Sequence, residues 1–168
     1  MLVKISRSKI DTNPLYGIVV AESELLICLQ LEVDFELDGY VFVRKRDITS
    51  RSQETESLKY HERLMRKEGL WKPPSKFAKQ LPLISWHELL MPLVGKPVLI
   101  ENERKGDCWI GILISSTSSN ARIHCFDVLG VMDDDTVSIS LRSITAVQFG
   151  DRYTSIHFKH LNTSPSKV

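Results

Sequence analysis

Two stretches of the chain resemble each other closely enough to constrain the fold. Gly17–Val20 (Gly-Ile-Val-Val) matches Gly111–Ile114 (Gly-Ile-Leu-Ile) at an offset of 94 residues, and Val41–Thr49 matches Val137–Thr145 at an offset of 96 residues. Two matches in the same order, at nearly the same offset, indicate an internal duplication. The change in offset falls between the matches, where a connection tolerates insertions. The sequence therefore predicts two copies of one structural unit.

Each copy has the pattern of a short β meander. Apolar and β-branched runs such as Leu25–Leu31 alternate with turn-like polar segments such as Glu22–Glu24. Five short strands in a stretch of this length, with a short turn before the last, are typical of a small closed barrel. A glycine near the head of the second strand, Gly17 or Gly111, suits a strand that bends sharply. We expect Ile48 and Ile144 to be buried where the last strand of each copy joins its barrel.

The predicted fold is mainly β, with two tandem five-stranded small barrels joined by a helical linker. The linker is predicted from its helical spacing of apolar residues, which stops at Gly69. A second linker helix should begin after Ser85 and pack its apolar side chains on a barrel. Those side chains are Trp86, Leu89, Leu90 and Leu93. The predicted boundaries are 1–53 for the N-terminal barrel, 54–95 for the linker, 96–161 for the C-terminal barrel and 162–168 for a flexible tail.

Two longer motifs resemble those of a class of small β proteins. Phe35–Ile48 follows the pattern Phe-x-x-Asp-Gly-Tyr-x-x-Val/Ile-Arg-x-x-Asp-Ile, and Ile144–Tyr153 follows Ile-Thr-x-Val-x-Phe-Gly-x-x-Tyr. The chain is in this respect similar to uncharacterised bacterial proteins with tandem SH3-like or Sm-like small β-barrels. The resemblance covers most of residues 1–52 and 96–160. It implies the barrel fold and implies no activity.

Charge is unevenly distributed, although 22 basic and 21 acidic side chains almost cancel. Residues 1–38 hold 3 basic and 7 acidic side chains, whereas residues 44–79 hold 11 basic and 5 acidic ones. Aromatic residues interleave with the basic set, a pattern that can hold single-stranded RNA or DNA by phosphate contact and stacking. The alternatives are a solvated helix face, with Glu62 and Arg66 paired, and attraction to the acidic N-terminal copy. The candidate nucleic-acid contacts are Arg44, Arg46, Arg63, Arg66, Lys67, Trp71 and Lys72.

The end of the second copy holds more apolar strand-like sequence than one five-stranded barrel needs. We predict that Ser155–Phe158 is a strand that either pairs with the first barrel or forms the edge of a dimer. This is the candidate surface for a protein partner or for a homo-oligomer. The candidate interaction edge consists of Val147, Phe149, Ile156 and Phe158.

Recognised catalytic and metal-binding patterns are missing from the sequence. It holds no Gly-rich phosphate loop, no Gly-x-Ser-x-Gly and no His-Glu-x-x-His. His157 and His160 would lie on opposite faces of a strand, so we predict no metal site. The acidic run Glu32–Asp38 lacks the spacing of a calcium loop and is predicted to be a solvated face. We predict no cofactor, and an enzyme is kept only as the last alternative.

Cysteine usage and hydropathy predict the cellular setting. Three cysteines without a Cys-x-x-Cys pair, and an N-terminus without an apolar run, favour a reduced cytoplasmic protein. No window approaches the ~18 apolar residues that span a bilayer, so no membrane partner is expected. The leading hypothesis is a non-catalytic module that binds a protein partner or self-associates. The alternative is a nucleic-acid-binding module that uses the basic linker.

Overall fold

The computed structural model describes residues 1–161 and divides the chain into two compact units. Unit 1 runs from Met1 to Ser85, and unit 2 begins at Trp86. The structure is mainly β with four α-helices among the described residues, which confirms the predicted class. The predicted tail, residues 162–168, lies outside the described residues.

Unit 1 contains a five-stranded antiparallel sheet. Within the unit the strands pair in the order β5-β1-β2-β3-β4. A 3₁₀ turn at Lys45–Asp47 connects the fourth strand to the fifth. The fifth strand then pairs with the first. The strands are β1 (Leu2–Arg7), β2 (Asp11–Glu22), β3 (Leu26–Val33), β4 (Glu36–Arg44) and β5 (Ser50–Gln53).

Two helices complete unit 1, α1 (Glu56–Lys67) and α2 (Lys76–Gln80). The first begins at Thr55, whose side-chain oxygen accepts a hydrogen bond from the Leu58 N–H, as an N-cap does. On its inner face, Leu58 and Met65 are buried against Leu2 and Leu37 of the sheet. This contact between an apolar stripe and the sheet fixes α1 on unit 1.

Unit 2 contains a second five-stranded antiparallel sheet. Within the unit the strands pair in the order β10-β6-β7-β8-β9, so the last strand again pairs with the first. The strands are β6 (Pro97–Asn102), β7 (Asp107–Ser116), β8 (Asn120–Cys125), β9 (Val137–Ser140) and β10 (Ala146–Phe149).

The helices of unit 2 are α3 (Trp86–Leu90), which continues into a 3₁₀ turn at Met91–Leu93, and α4 (Arg152–His160). The first of them contacts β7 and β8 of its own unit. The prediction that its apolar residues pack on a sheet is confirmed. The buried side chains are Trp86, Leu89, Leu90 and Leu93.

The prediction of a strand at Ser155–Phe158 is wrong, because this segment lies inside α4. Gly150 has a φ of +73° and turns the chain out of β10. The Asp151 carboxylate then accepts the Thr154 N–H at 2.8 Å and starts a helix. The rings of Tyr153 and His157, one helical turn apart, lie 4.5 Å from each other.

The pairing registers of the two sheets follow the offsets found in the sequence. Gly17 faces Leu31 and Gly111 faces Cys125, so both partners keep the offset of 94. A Cβ on either glycine would collide with a backbone carbonyl of the facing strand, which explains why glycine occupies both positions. The buried position expected at the last turn is found for Ile144, whereas Ile48 is only half-buried.

A threonine makes the same three hydrogen bonds in each unit. The N–H and the hydroxyl of Thr49 both donate to one carbonyl of the first strand, at 2.8 and 3.1 Å, and those of Thr145 do so at 2.8 and 3.1 Å. Each hydroxyl also accepts a backbone N–H two residues further along, at 3.2 Å for Thr49 and 2.9 Å for Thr145. The acceptor and donor residues are Ser6 and Ser8 for Thr49, and Glu101 and Glu103 for Thr145.

The correspondence continues into the helix that follows the fifth strand. At the offset of 96, the cap Thr55 of α1 falls on the cap Asp151 of α4, and each accepts the N–H three residues on. The sixth helical residue is a histidine in both helices, His61 and His157. Each histidine ring contacts an aromatic residue from the connection between the third and fourth strands of its unit. Each unit therefore has five strands followed by a capped helix, in the same order.

Candidate interaction clefts

Each unit has an open cleft where the capped helix passes the start of the first strand. We call the cleft of unit 1 the basic cleft; it has a volume of about 480 Å³. We call the cleft of unit 2 the aromatic cleft; it has a volume of about 350 Å³. The basic cleft is lined by Met1, Lys59, Glu62, Arg63 and Arg66. The aromatic cleft is lined by Gly95, Lys96, Pro97, Phe149, Gly150, Ser155, Phe158 and Lys159.

The two clefts occupy equivalent places and differ in chemistry. At the offset of 96, three helical positions line both clefts. The equivalent pairs are Lys59 and Ser155, Glu62 and Phe158, and Arg63 and Lys159. One cleft is therefore built on charged side chains and the other on an aromatic ring with a lysine beside it.

The difference in chemistry between the two clefts is linked to the first residue of the first strand in each unit. The Leu2 N–H donates to a carboxylate oxygen of Glu62 at 3.0 Å. Pro97 holds the equivalent place in β6, since Leu2 faces Ile18 and Pro97 faces Ile112. Proline has no N–H to satisfy, so the helical position opposite it needs no acceptor. An apolar side chain, that of Phe158, stands there instead of a carboxylate.

Inside the basic cleft, much of the charge is already paired. Glu62 accepts two hydrogen bonds from the Arg66 guanidinium, at 3.0 and 2.8 Å. Partial burial raises the pKa of Glu62, but the hydrogen bonds from Arg66 and the Leu2 N–H outweigh it and lower that pKa overall. The guanidinium also stacks over the Trp71 ring at 4.0 Å. This confirms the helical ion pair weighed as the alternative to nucleic acid.

The remaining predicted nucleic-acid contacts are divided between separate elements. Arg63 lies on α1 with its guanidinium 5.4 Å from the Tyr60 ring, and Lys67 and Lys72 are exposed at and beyond the end of that helix. Arg44 ends β4, and Arg46 is exposed on the 3₁₀ turn that follows.

Ion pairs with the acidic part of the N-terminal copy form near that turn. Glu22 pairs with Lys45 at 2.8 Å and with Arg51 at 2.9 Å. The hydrogen bond from Lys45, aided by Arg51, lowers the pKa of Glu22. Part of the basic set therefore offsets acidic charge within unit 1, as the second alternative expected.

The aromatic cleft brings together two members of the predicted interaction edge. Phe149 contributes a buried ring, and Phe158 contributes a ring that is 39% exposed. The other two members lie elsewhere. Val147 is buried in β10, where it faces Ile100, and Ile156 is 50% exposed on the outer side of α4. Two of the four predicted residues thus form one site, on a helix and a strand rather than on a strand edge.

A second apolar feature of unit 2, the apolar turn (Asp127–Val131), was not expected from the sequence. The Asp127 carboxylate accepts the N–H groups of Leu129 at 2.8 Å and of Val131 at 2.9 Å. The Asp127 N–H donates to the Val131 carbonyl at 2.9 Å and closes the turn. Val128 and Leu129 are thereby held outward, 77% and 81% exposed. The spacing of Asp127 and Gly130 is the turn signal in the sequence that could have revealed it.

The apolar turn lies where unit 2 is two residues longer than unit 1. In unit 1 the same connection is a two-residue hairpin of Asp34 and Phe35, both with positive φ. The Phe35 ring packs 4.7 Å from the His61 ring, so it is drawn onto α1. The acidic run Glu32–Asp38 surrounds this hairpin, and Leu37 within it is buried. Val33 is 53% exposed, however, and Glu32, Glu36 and Asp38 are only partly exposed, so the predicted solvated acidic face with an inward apolar set is found only in part.

Helix α4 separates the apolar turn from the aromatic cleft. A Cβ built on Gly130 would lie 3.7 Å from Nδ1 of His157, so the turn adjoins one flank of the helix. Ser155, Phe158 and Lys159 line the cleft on the other flank. At 3.6 residues per turn, Ile156 falls between the two flanks, opposite the buried Thr154.

Comparison of the chain with protein-family models, with curated proteins and with solved structures finds no match in any of the three. Within residues 1–161, no three His, Cys, Asp or Glu side chains are grouped so that they could hold a metal ion. Over the same part of the chain, none of the helices combines the length and the apolar character needed to cross a membrane. The clefts are therefore the features of the molecule that bear on its function.

Proposed function

We propose that the chain is a non-catalytic protein-interaction module built from two copies of an SH3-like or Sm-like small barrel. The duplication is supported by the shared strand order, the equivalent glycines and the threonine hydrogen bonds that recur in both units. The barrel assignment is supported by a fifth strand that returns to pair with the first after a short turn. The helix that follows the fifth strand belongs to the repeated unit.

The aromatic cleft carries the functional proposal. The half-exposed Phe158 ring lies beside the buried Phe149 ring at an open cleft of about 350 Å³. Together they offer a place for one apolar side chain of a partner. Lys159 is exposed at the rim and attracts an acidic group. The expected ligand is therefore a protein segment with an apolar residue close to Asp or Glu.

Peptide selection tests this proposal directly. A random peptide library is selected on the full chain and counter-selected on Phe158→Asp. We expect enriched peptides with an apolar residue near an acidic one, and an affinity at least about tenfold lower for Phe158→Asp. Lys159→Glu, an exposed change, should weaken the same peptides. Tyr60→Asp, the same substitution on the helix of unit 1, should leave binding unchanged.

Two results would overturn the proposal. One is the absence of enriched peptides. The other is a set of peptides that bind Phe158→Asp as tightly as the parent. Circular dichroism of Lys159→Glu separates loss of binding from loss of fold, because a lysine exposed on a helix surface contributes little to stability.

A second candidate function is binding of single-stranded nucleic acid by α1. Lys59, Arg63 and Lys67 follow one another at intervals of four residues, and Tyr60 is 49% exposed beside them. Phosphate contact and stacking on Tyr60 would be combined on this face. The candidate ranks second because Arg66 is paired with Glu62 and covers Trp71, so a base could stack there only by displacing it.

Fluorescence titration with oligouridine and oligodeoxythymidine at about 50 and 200 mM salt tests the second candidate. Three phosphate contacts predict a slope of about −2 in a plot of log K against log salt. Arg63→Glu should weaken binding, and Lys159→Glu at the equivalent position of unit 2 should not. Absence of binding at the lower salt concentration would exclude this function.

A further inference from the structure

Unit 2 carries two surfaces that fit each other. The apolar turn presents Val128 and Leu129 almost fully exposed, and three aspartates follow closely at Asp133–Asp135. The aromatic cleft offers an exposed Phe158 ring and the ammonium group of Lys159. One surface is thus apolar with adjacent negative charge, and the other is apolar with adjacent positive charge. Adjacent like charges such as the three aspartates favour a cationic neighbour.

The same two surfaces cannot meet within one unit, because they lie on opposite flanks of α4. We propose that the occupant of the aromatic cleft is the apolar turn of a second copy of this chain. A two-fold axis parallel to α4, passing in front of Ile156, carries the turn of each copy over the cleft of the other. The contact is isologous and closes as a dimer. This inference rests on the proposed function and names the partner.

Ile156 occupies the centre of the proposed interface. It is 50% exposed on the outer side of α4, and the two-fold axis brings it against its counterpart. A central apolar contact flanked by two charged rims is the usual anatomy of a protein interface. Several adjoining apolar side chains are unfavourable when they are exposed to water, so the apolar cluster around α4 is typical of a surface that a partner covers.

Unit 1 supplies an internal control for this arrangement. Its corresponding cleft is charged, its corresponding hairpin turns Phe35 onto α1, and Tyr60 stands in the place of Ile156. The features that make unit 2 self-complementary are therefore those in which the two copies differ. A substitution at Tyr60 should not affect association.

Sedimentation velocity of the full chain from about 2 to 200 µM tests the proposal. We expect a reversible equilibrium between monomer and dimer that weakens as salt is raised. A two-fold axis makes each contact twice, so a tenfold loss per contact becomes about a hundredfold loss in dimer affinity. Leu129→Asp and Phe158→Asp should each give this loss. Ile156→Asp should weaken the dimer by placing two like charges together at the axis, and Tyr60→Asp should associate like the parent.

Mixing two of the variants gives the sharpest test. Leu129→Asp keeps an intact cleft, and Phe158→Asp keeps an intact turn. Their heterodimer restores one native contact, so it should form about tenfold more tightly than either homodimer. A mixture that associates no better than its components contradicts the turn-in-cleft contact. Unchanged circular dichroism spectra and melting temperatures confirm that the variants are folded.

The failure of this inference can be told apart from the failure of the proposed function. A parent chain that stays monomeric at 200 µM, or a Leu129→Asp variant that dimerises like the parent, overturns the inference. If peptides selected on the parent still depend on Phe158, the cleft binds another protein and the proposed function stands. If no such peptides are found either, both proposals fall.

Discussion

Thr145→Val is expected to destabilise the protein more than the same substitution at Thr49. Valine keeps the shape of threonine and removes the hydroxyl. At Thr145 that hydroxyl accepts the Glu103 N–H at 2.9 Å and donates to the Glu101 carbonyl at 3.1 Å. The residue is 1% exposed, so water cannot reach these groups easily.

The magnitude follows from burial. A hydrogen bond contributes about 1 kcal/mol net, and a buried polar group that loses its partner costs about 1–3 kcal/mol. For Thr145→Val we therefore expect a loss of about 2 kcal/mol in the free energy of unfolding. Thr49 makes the same bonds but is exposed, so water replaces the hydroxyl and the expected loss is about 0.5 kcal/mol.

Urea unfolding followed by tryptophan fluorescence measures both losses, because Trp71 lies in unit 1 and Trp86 and Trp109 lie in unit 2. Hydrogen exchange at the amide of residue 145, whose bond to the Glu101 carbonyl is kept by valine, gives an independent measurement. If exchange at this amide requires opening of unit 2, 2 kcal/mol corresponds to about a thirtyfold faster rate. Equal losses at Thr49 and Thr145, or a loss below about 0.5 kcal/mol at Thr145, would show that burial does not strengthen the contribution of this hydroxyl.

Three further substitutions test the packing and the charges. Gly111→Ala should lower the free energy of unfolding by about 3 kcal/mol, the upper end for overpacking, because a backbone carbonyl of the facing strand obstructs the added Cβ. An unchanged free energy in urea unfolding would contradict the close approach of the two strands. Leu90→Ala should lower the free energy of unfolding by about 2–5 kcal/mol, because Leu90 is buried. The same change at the exposed Met91 should lower it by about 0.5 kcal/mol or less, and equal losses would mean that α3 is not packed as described. Glu22→Gln should lower the free energy of unfolding by under about 1 kcal/mol at pH 7, and this difference from the parent should vanish on acidification. A difference that persists in acid would contradict the lowered pKa of this carboxylate.

The pH dependence expected for Glu22 follows from the direction of its pKa shift. Lys45 and Arg51 lower the pKa of Glu22 in the folded protein, so the folded state favours the carboxylate. Its contribution is complete above the pKa of the unfolded chain and is lost as pH falls through the lower pKa of the folded chain. The side chain is about one-third exposed, so solvent screening keeps the contribution small.

The sequence was informative where a residue type is required by backbone geometry. Gly17 and Gly111 were found because only glycine allows the facing strand to approach so closely. Thr49 and Thr145 recurred because a hydroxyl bridges two backbone groups of the first strand. Both residue types recur at the offsets found in the sequence, and each unit has five strands.

The strand prediction at Ser155–Phe158 is wrong because it follows a local alternation of apolar residues and not the sequence offset of 96. Alternating apolar residues at Ile156 and Phe158 are typical of a strand, yet in α4 they lie on different sides of a helix. The offset of 96 maps α1 onto residues 152–163, and the cap at Thr55 onto Asp151. Extending the repeat beyond the fifth strand would have predicted the helix from the sequence alone.

The clefts depend on packing that one sequence does not reveal. Phe149 and Phe158 come together only because α4 turns back along the start of β6. Val128 and Leu129 continue an apolar run and resemble strand residues, whereas the Asp127 hydrogen bonds hold them in a turn. Their exposure is visible only when that turn is seen in three dimensions.

We propose that the surface around α4 joins two copies of this chain, and a dilution series of ¹⁵N-labelled full chain is the decisive experiment for that dimer. Amide shifts are followed by NMR from about 200 to about 5 µM, across the range where a weak dimer dissociates. The proposed dimer predicts concentration-dependent shifts at Lys96, at residues 127–135 and at residues 155–159, with α1 unaffected. Shifts that are absent throughout, or that are confined to α1, would contradict it.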